Sequence, residues 1–223
     1  METFRWPNDT ERTLMIGRTG SGKTTAALYQ LSMKNWERKP WVVFDTKGDK
    51  DIGVIGRMEG VKHIKITEQP SDNGLFIVRP LPNQDDEIND FLWRIHTRNN
   101  VGLYFDEGYM VGKPDALNAL LTQGRSKHIP IIMNTQRPTW LSRFCFTESD
   151  YFQVFALTDR DDRKSVQRFI PEERADLEER LPPYHSIWYD VKSDRVFKFK
   201  PTPPSEQIIE GFRTRLMPRR IAI

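Results

Sequence analysis

The stretch GRTGSGKTT at residues 17–25 decides the fold of this chain. It matches G-x-x-x-x-G-K-[ST], a pattern in which glycines let backbone N–H groups surround a phosphate, a lysine neutralises phosphate oxygens and a hydroxyl binds Mg²⁺. The apolar residues 13–17 before it are typical of a buried strand, and residues 24–36 after it carry apolar side chains at roughly helical spacing. Strand, glycine-rich loop and helix in this order predict a nucleotide-binding P-loop rather than a chance glycine-rich turn.

The P-loop supplies the predicted contacts to ATP and Mg²⁺. We expect Lys23 to neutralise β- and γ-phosphate oxygens and the Thr24 hydroxyl to bind the metal. The positive end of the following helix adds to the attraction for phosphate. The predicted nucleotide-binding residues are Gly17, Arg18, Thr19, Gly20, Ser21, Gly22, Lys23, Thr24 and Thr25.

Composition favours one intracellular α/β domain. The chain has 223 residues, a mean hydropathy of −0.64 and no apolar run near the roughly 18 residues of a membrane span. We expect no signal peptide, because the charged first residues lack an apolar segment. Cys145 is the one cysteine, so an internal disulfide is impossible, and we expect it to be a small buried side chain.

Strand and helix patterns alternate through most of the chain. Apolar runs that predict strands lie near residues 41–45, 62–67, 75–80, 101–106, 129–133 and 151–158, and helical patterns lie at 85–99, 114–128, 159–182 and 205–217. Residues 184–201 alternate apolar and polar across a tight turn, which predicts a hairpin. The pattern predicts a RecA-like P-loop core, with a mostly parallel sheet, helices on both faces and a late antiparallel hairpin. We expect residues 1–223 to form a single P-loop ATPase domain, with a core of about 12–170 and a C-terminal hairpin and basic helix of about 184–223.

Charge is distributed unevenly along the chain. The formal net charge is +3, but the residues from Arg195 onwards contain seven basic and two acidic side chains. This segment is suited to a polyanion or an acidic protein surface, although an exposed helix end would have the same composition.

A strand ending in two carboxylates predicts the catalytic centre. Residues 102–105 are apolar and lead directly into Asp106 and Glu107, the arrangement that holds Mg²⁺ in P-loop ATPases. We expect Asp106 to bind the metal, through water, and Glu107 to act as the general base for the attacking water. The alternative is that both carboxylates only cap the next turn.

The predicted strand at 129–133 ends in polar groups that can contact the γ-phosphate. Asn134 and Gln136 are the candidates for a sensor, and alternation along a strand places them on one face with Thr135 on the other. Arg125 precedes this strand and is our first choice for an arginine that stabilises the transition state in a neighbouring subunit. The alternative arginines are Arg137, Arg160 and Arg163.

Several of these segments together resemble one family. FDTKGD at residues 44–49, YFDE at 104–107 and the run from Arg125 through TQRP at 135–138 are similar to the corresponding motifs of the HerA/FtsK superfamily of DNA-pumping ATPases. With the P-loop, they cover roughly the first 140 residues in the right order. The small size, without an N-terminal anchor or an added DNA-reading domain, resembles the genome-packaging ATPases of icosahedral viruses with an internal membrane. The match is weaker after Thr158.

The resemblance implies an ATPase that moves double-stranded DNA through a homo-hexameric ring. It assigns Lys23, Thr24, Asp106 and Glu107 to phosphate, magnesium and water, gives Gln136 the sensor role, and makes Arg125 the arginine acting on the next subunit. It also implies a place in the host cytoplasm during assembly or at the packaging vertex of the virion, with capsid-vertex or membrane-associated packaging proteins as partners. Basic residues in predicted loops are candidates for DNA contact: Lys50, Arg57 and Lys113.

Two other functions remain open from the sequence. A phage assembly or secretion ATPase would share this core but not translocate DNA, and such proteins usually carry a membrane span. A P-loop kinase for a small molecule would not need the second carboxylate Glu107. Stimulation of ATP hydrolysis by DNA separates the motor from both.

Overall fold

The computed structural model describes residues 4–112, 114–177 and 181–216, and its centre is one nine-stranded sheet. The strands are β1 (Arg12–Ile16), β2 (Trp41–Asp45), β3 (Val61–His63), β4 (Leu75–Val78), β5 (Gly102–Asp106), β6 (Ile131–Thr135), β7 (Tyr151–Phe155), β8 (Ser186–Asp190) and β9 (Arg195–Phe199). The α-helices are α1 (Lys23–Ser32), α2 (Lys50–Ile55), α3 (Asp85–Arg98), α4 (Asp115–Gln123), α5 (Arg143–Thr147), α6 (Arg160–Gln167) and α7 (Ser205–Leu216).

Strand order brings the predicted motifs to one edge of the sheet. The order is β3-β4-β2-β5-β6-β1-β7-β8-β9, in which β3 to β7 along this row pair in parallel and β8 and β9 add an antiparallel hairpin. The P-loop strand β1 is separated from the carboxylate strand β5 by β6 alone. Because ligands of open α/β sheets lie at the carboxyl ends of the strands, the P-loop, Asp106 and Gln136 share one end of the sheet.

Buried residues form two cores, one on each face of the sheet. Alternate side chains of β2 illustrate the division, because Val42 and Phe44 join the core beneath α3 to α6, whereas Trp41 and Val43 join the core beneath α1, α2 and α7. The predicted fold, a mostly parallel sheet with helices on both faces and a late hairpin, is confirmed. Cys145 is buried on α5, as expected.

Two local predictions are wrong. The long helix predicted over 159–182 is much shorter, because α6 ends at Gln167 and Pro171 follows, a residue that lacks an N–H and disfavours helical geometry in the residue before it. Lys50 does not lie in a loop but begins α2. The Asp49 side chain accepts hydrogen bonds from the N–H groups of residues 51 and 52 and thereby caps this helix, which sequence analysis missed.

Two further observations concern membrane spans and the predicted residues that the structure does not describe. Within the described residues, no helix has both the length and the hydropathy of a membrane span. The candidate DNA contact Lys113 and the basic residues Arg219 and Arg220 lie outside the described residues.

Candidate active site

The P-loop links β1 to α1 and has a backbone that only glycine fits well. Gly20 and Gly22 have φ of 73° and 101°, in the left-handed region that glycine enters without a steric penalty. At Gly17, a Cβ would lie 2.7 Å from the Phe155 Cβ. The loop is also fixed to its neighbouring strands, because the Gly17 N–H donates to the Thr135 carbonyl at 3.2 Å and the Arg18 N–H to Ala156 at 3.1 Å.

Lys23 lies buried at the start of α1. Its Nζ donates to the Arg18 carbonyl at 3.0 Å, so the ammonium group lies across the P-loop. Burial lowers the Lys23 pKa, and the nearby carboxylates Glu107 and Asp106 oppose that effect. A phosphate bound in the loop would supply the negative charge that this desolvated ammonium lacks.

Asp106 sits in a buried network of neutral donors. Its Oδ1 accepts from Tyr104 Oη at 2.9 Å, from Thr24 Oγ1 at 3.1 Å and from Asn134 Nδ2 at 3.2 Å. Burial raises the Asp106 pKa, although the hydrogen bonds from Tyr104 and Asn134 oppose the rise. Within the described chain, the buried Asn134 Oδ1 and Ser21 Oγ atoms lack a hydrogen-bond partner. Both atoms are therefore available to form hydrogen bonds with a ligand.

The donor set beside the P-loop fits Mg²⁺ when phosphate is also present. The Thr24 hydroxyl and the Asp106 carboxylate are hard oxygen ligands, and Mg²⁺ is commonly held by one or two protein oxygens together with substrate phosphates and water. In the part of the chain that the structure describes, no group of three or more His, Cys, Asp or Glu side chains could hold a metal alone. The residues therefore suit a metal that arrives with a nucleotide.

Glu107 is held by two donors in a strained backbone conformation. Its φ of 66° lies in the left-handed region, which is uncommon for a residue with a side chain and recurs at functional sites. Lys47 Nζ lies 2.9 Å from Oε1, and the Gln136 N–H donates to Oε2 at 3.1 Å. The strained turn thus aims a buried carboxylate between β2 and β6.

Gln136 connects the P-loop to the turn that follows β5. The Thr19 hydroxyl donates to its Oε1, and its Nε2 donates to Tyr109 Oη at 3.1 Å. Tyr109 packs edge-to-face against Trp140, with ring centroids 5.5 Å apart. The other sensor candidate, Asn134, belongs instead to the Asp106 network.

Comparison with known proteins shows a full-length relative. The chain is 44% identical over 222 aligned positions to the DNA packaging ATPase P9 of Enterobacteria phage PRD1, and the alignment covers 94% of this chain and 95% of that protein. The chain belongs to the family of viral DNA-packaging ATPases. The predicted resemblance to packaging ATPases is therefore confirmed, and the small-molecule kinase alternative loses its support. No protein-family model matches the chain.

Solved structures share the fold of this packaging ATPase. The genome packaging NTPase B204 of Sulfolobus turreted icosahedral virus 2, in complex with AMPPCP, superposes with a TM-score of 0.73 at 19% identity over 88% of this chain and 100% of that one. The same NTPase with ATP-gammaS gives a TM-score of 0.70 at 18% identity, over 87% and 99% of the two chains. VirB4 of Thermoanaerobacter pseudethanolicus gives 0.68 at 10% identity, over 92% and 93%.

Arg125 lies at the opposite end of the sheet from the P-loop of its own chain. It follows α4 and forms an ion pair with Asp150, which also accepts from the backbone N–H of Arg12 at 2.8 Å. The Arg125 side chain remains 61% exposed. This packaging ATPase chain therefore does not bring Arg125 to its own P-loop, and the role of Arg125 in a neighbouring subunit stays a prediction.

The alternative arginines are differently placed. Arg163 donates to the carbonyls of Leu157 and Thr158 at 3.0 and 3.2 Å and so braces the loop after β7. Arg137 lies over the Trp140 ring at 5.8 Å, close to Gln136 in its own chain. Arg160 is exposed at the first position of α6.

Sequence analysis missed three residues that contact Asp106 or Glu107. Tyr104 lies two positions before Asp106 on the same strand face, and that alternation could have identified it. Thr46 donates to the Asp106 carbonyl at 2.7 Å, and Lys47 pairs with Glu107. Thr46 and Lys47 both lie in the DTKGD segment, so the family motif could have marked them as site residues. The motif does not specify which atoms they contact.

Proposed function

We propose that this chain is the ATP-hydrolysing motor that translocates double-stranded DNA into a preformed capsid, as a ring of six identical subunits. The observation that carries the proposal is the meeting of the P-loop, Asp106, Glu107 and Gln136 at one end of the sheet in a chain with a full-length packaging-ATPase relative. The reaction converts ATP and water to ADP and phosphate.

The P-loop would hold the triphosphate. Backbone N–H groups of the loop and the Lys23 ammonium would contact phosphate oxygens, displacing the Nζ of Lys23 from the Arg18 carbonyl that it now contacts at 3.0 Å. Thr24 and Asp106 would hold Mg²⁺, which supplies neutralisation of charge on the β- and γ-phosphate oxygens.

Glu107 would accept the proton of the attacking water. Both of its oxygens have donors in this structure, so one of them must be released when water is bound. Lys47 is the partner suited to leave, because its side chain is 35% exposed, whereas the other donor is the backbone N–H of Gln136. A movement of Lys47 towards the γ-phosphate would free the base and add positive charge to the transition state.

Gln136 would report the γ-phosphate to the rest of the subunit. It already joins Thr19 of the P-loop to Tyr109, and a γ-phosphate between these groups would compete for its amide. In the ring, Arg125 would leave Asp150 and reach the nucleotide of the next subunit, where it would stabilise the transition state.

The proposed DNA contact is electrostatic and independent of sequence. A motor must pass every base sequence, and phosphate contacts carry no base information. Lys50 and Arg57 are exposed on and just after α2, and the candidates at Lys113 and in the basic C-terminal segment would add to them. We further propose assembly in the host cytoplasm or at the packaging vertex, where capsid-vertex or membrane-associated packaging proteins would bind.

Hydrolysis measured with and without long duplex DNA tests this function. Wild type should hydrolyse ATP in the presence of Mg²⁺ and accelerate when duplex DNA is added, whereas Lys23→Ala should lose nucleotide binding and turnover in both conditions. DNA-independent turnover in wild-type rings would contradict the motor and favour the assembly ATPase.

Binding of duplex DNA in the presence of an ATP analogue tests the proposed contacts. Affinity should fall steeply with salt concentration because bound counterions are released. Lys50→Ala and Arg57→Ala should weaken binding and reduce the salt dependence, whereas the control Lys192→Ala, in the β8–β9 turn, should leave both unchanged. If wild type fails to bind duplex DNA even at low salt, the translocase proposal fails and an ATP-driven assembly switch takes its place.

A further inference from the structure

Among the described residues, two cavities border the P-loop, and the proposed sensor Gln136 lines only the first of them. The first, about 130 Å³, lies on the Gln136 side and is lined by Arg18, Thr19, Gln136, Arg137, Leu157, Thr158, Asp159 and Asp162. The second, about 160 Å³, lies beyond β7 and is lined by Arg18, Gly20, Ser21, Ala156, Leu181, Pro182, Pro183, Tyr184 and His185.

The second cavity has an aromatic wall. The Tyr184 side chain is 59% exposed, yet its Cδ1 lies 3.3 Å from the position that a Cβ on Gly22 would take. The ring therefore lies beside the residue that precedes α1, where the phosphate-binding loop ends. Phe155 Cε1 approaches the same point at 3.7 Å, so a second aromatic edge lies beneath.

The backbone around Tyr184 is fixed in a turn. The His185 N–H donates to the Pro182 carbonyl at 3.1 Å, and the His185 ring nitrogen Nδ1 lies 3.1 Å from the Pro183 carbonyl. Tyr184 itself has φ of 62°, and its two preceding prolines restrict the chain further. An exposed aromatic ring on a restricted turn loses little conformational freedom when a flat ligand stacks on it.

The direction of the bound nucleotide follows from the two cavities. In the proposed function, the γ-phosphate lies on the side of Glu107 and Gln136, because the general base and the sensor are assigned to these residues. The remainder of the nucleotide must then leave the P-loop on the other side, towards Gly20, Ser21 and Tyr184. We propose that the second cavity binds the purine base of the nucleotide and that the base stacks on Tyr184, an inference that rests on the proposed ATPase function.

Equilibrium binding of ADP and of inorganic tripolyphosphate tests this base site. Stacking of a base on an aromatic side chain is typically strong enough that its loss weakens binding by roughly tenfold. Tyr184→Ala should therefore weaken ADP binding by about that factor and leave tripolyphosphate binding within about twofold, because tripolyphosphate has no base. Tyr184→Phe should bind both ligands as wild type does.

Two controls separate stacking from damage to the fold. Tyr184→Gly suits the positive φ and should repeat the selective loss of ADP binding even if the alanine variant proves unstable. Trp93→Ala, which removes a partly exposed aromatic ring from α3, should leave the binding of both ligands unchanged.

The possible failures are distinguishable. Unchanged ADP binding in Tyr184→Ala and Tyr184→Gly would overturn the base site and leave the ATPase function intact. Equal weakening of both ligands would show that Tyr184 shapes the P-loop and would also overturn stacking. A wild-type protein that binds neither ADP nor tripolyphosphate would refute the nucleotide-binding function itself.

Discussion

Two aspartates, one at each end of the parallel sheet, accept hydrogen bonds from different kinds of donor. At the amino end, Asp150 accepts from the Arg12 backbone N–H and Nε and from Arg125, so two guanidinium groups neutralise one carboxylate. At the carboxyl end, the side chains that donate to the Asp106 carboxylate within the described residues are the neutral groups of Thr24, Tyr104 and Asn134, and burial raises the Asp106 pKa. The difference separates a carboxylate that arginines of its own chain neutralise from one that is available to a bound metal.

This contrast explains why strong polar networks do not mark function by themselves. Ion pairs such as Arg12–Asp150 are complete within one chain, whereas the Lys23 ammonium is desolvated and lies against a backbone carbonyl. Perturbed groups whose missing partner is a metal–phosphate complex are typical of active sites. The amino end has exceptions. Arg125 is paired and yet largely exposed, and the buried Lys39 ammonium lies against backbone carbonyls as that of Lys23 does.

The largest expected effect is on the ATPase rate. It tests whether Arg125 acts on the nucleotide bound at the carboxyl end of the sheet in a neighbouring subunit. Arginines that stabilise phosphoryl-transfer transition states contribute about 10³–10⁵-fold in turnover. Arg125→Ala should therefore lower the ATPase rate of assembled rings by at least about 10³-fold, and wild-type turnover should rise with protein concentration as rings form. Lys127→Ala, in the same turn, is the matched control and should have no such effect.

Mixed rings test the trans role directly. Combining Arg125→Ala with Glu107→Gln subunits creates some interfaces that contain both intact groups, so part of the activity should return. Mixed rings that assemble without any recovery would confine Arg125 to a structural pair with Asp150.

The next effect tests the general base at the carboxyl end. Glu107→Gln preserves size and hydrogen bonding but cannot accept a proton, so turnover should fall by about 10²–10⁴-fold while ATP still binds. Single-turnover hydrolysis together with nucleotide titration measures the two quantities. Near-normal turnover would remove Glu107 from the mechanism and leave its strained backbone without a catalytic reason.

The part of the site that lies in one continuous segment could be predicted from the sequence. The glycine positions of the P-loop follow from local backbone geometry, and Asp106 and Glu107 follow from a strand end. The contacts between segments could not be predicted, since Thr46 reaches Asp106 across 60 positions and Thr19 reaches Gln136 across 117.

Short elements were the other source of error. Six residues of α2 are too few for a helical period to emerge, although Asp49 is a recognisable capping residue. At residues 159–182 the error was a helix predicted too long. The charged, helix-like sequence continues past Pro171, whereas α6 ends at Gln167.

Two matched substitutions test whether Asp150 and Asp106 differ in their contribution to the free energy of unfolding. Asp150→Asn leaves the buried Arg12 guanidinium without a full counter-charge and should cost about 3 kcal/mol in the free energy of unfolding. Asp106→Asn keeps the acceptor for its neutral donors and removes a desolvated charge, so it should cause little or no loss of stability while disrupting Mg²⁺-dependent nucleotide binding. Urea denaturation of both variants measures this, and equal destabilisation would contradict the distinction between the two ends.

The smallest expected effect is a pH dependence at the amino end. Lys39 is buried, its Nζ donates to the Asp9 and His128 carbonyls at 2.6 and 2.7 Å, and burial lowers its pKa to about 8. Between that value and the ordinary lysine pKa, the unfolded chain binds a proton that the folded chain has released, so this group makes stability rise with pH. The change in urea midpoint from about pH 7.5 to about pH 9.5 should therefore be more positive in wild type than in Lys39→Met.

Repeating that measurement with saturating ADP shows whether the two ends are independent. Burial also lowers the pKa of Lys23, but a bound phosphate would favour its charged form, so ADP should alter the contribution of Lys23 to the pH dependence. Lys39 lies far from the P-loop, before β2 and beside the turn that precedes β6. The difference between wild type and Lys39→Met should thus be the same with and without ADP, and a difference that changes on binding ADP would mean that the amino end responds to the nucleotide.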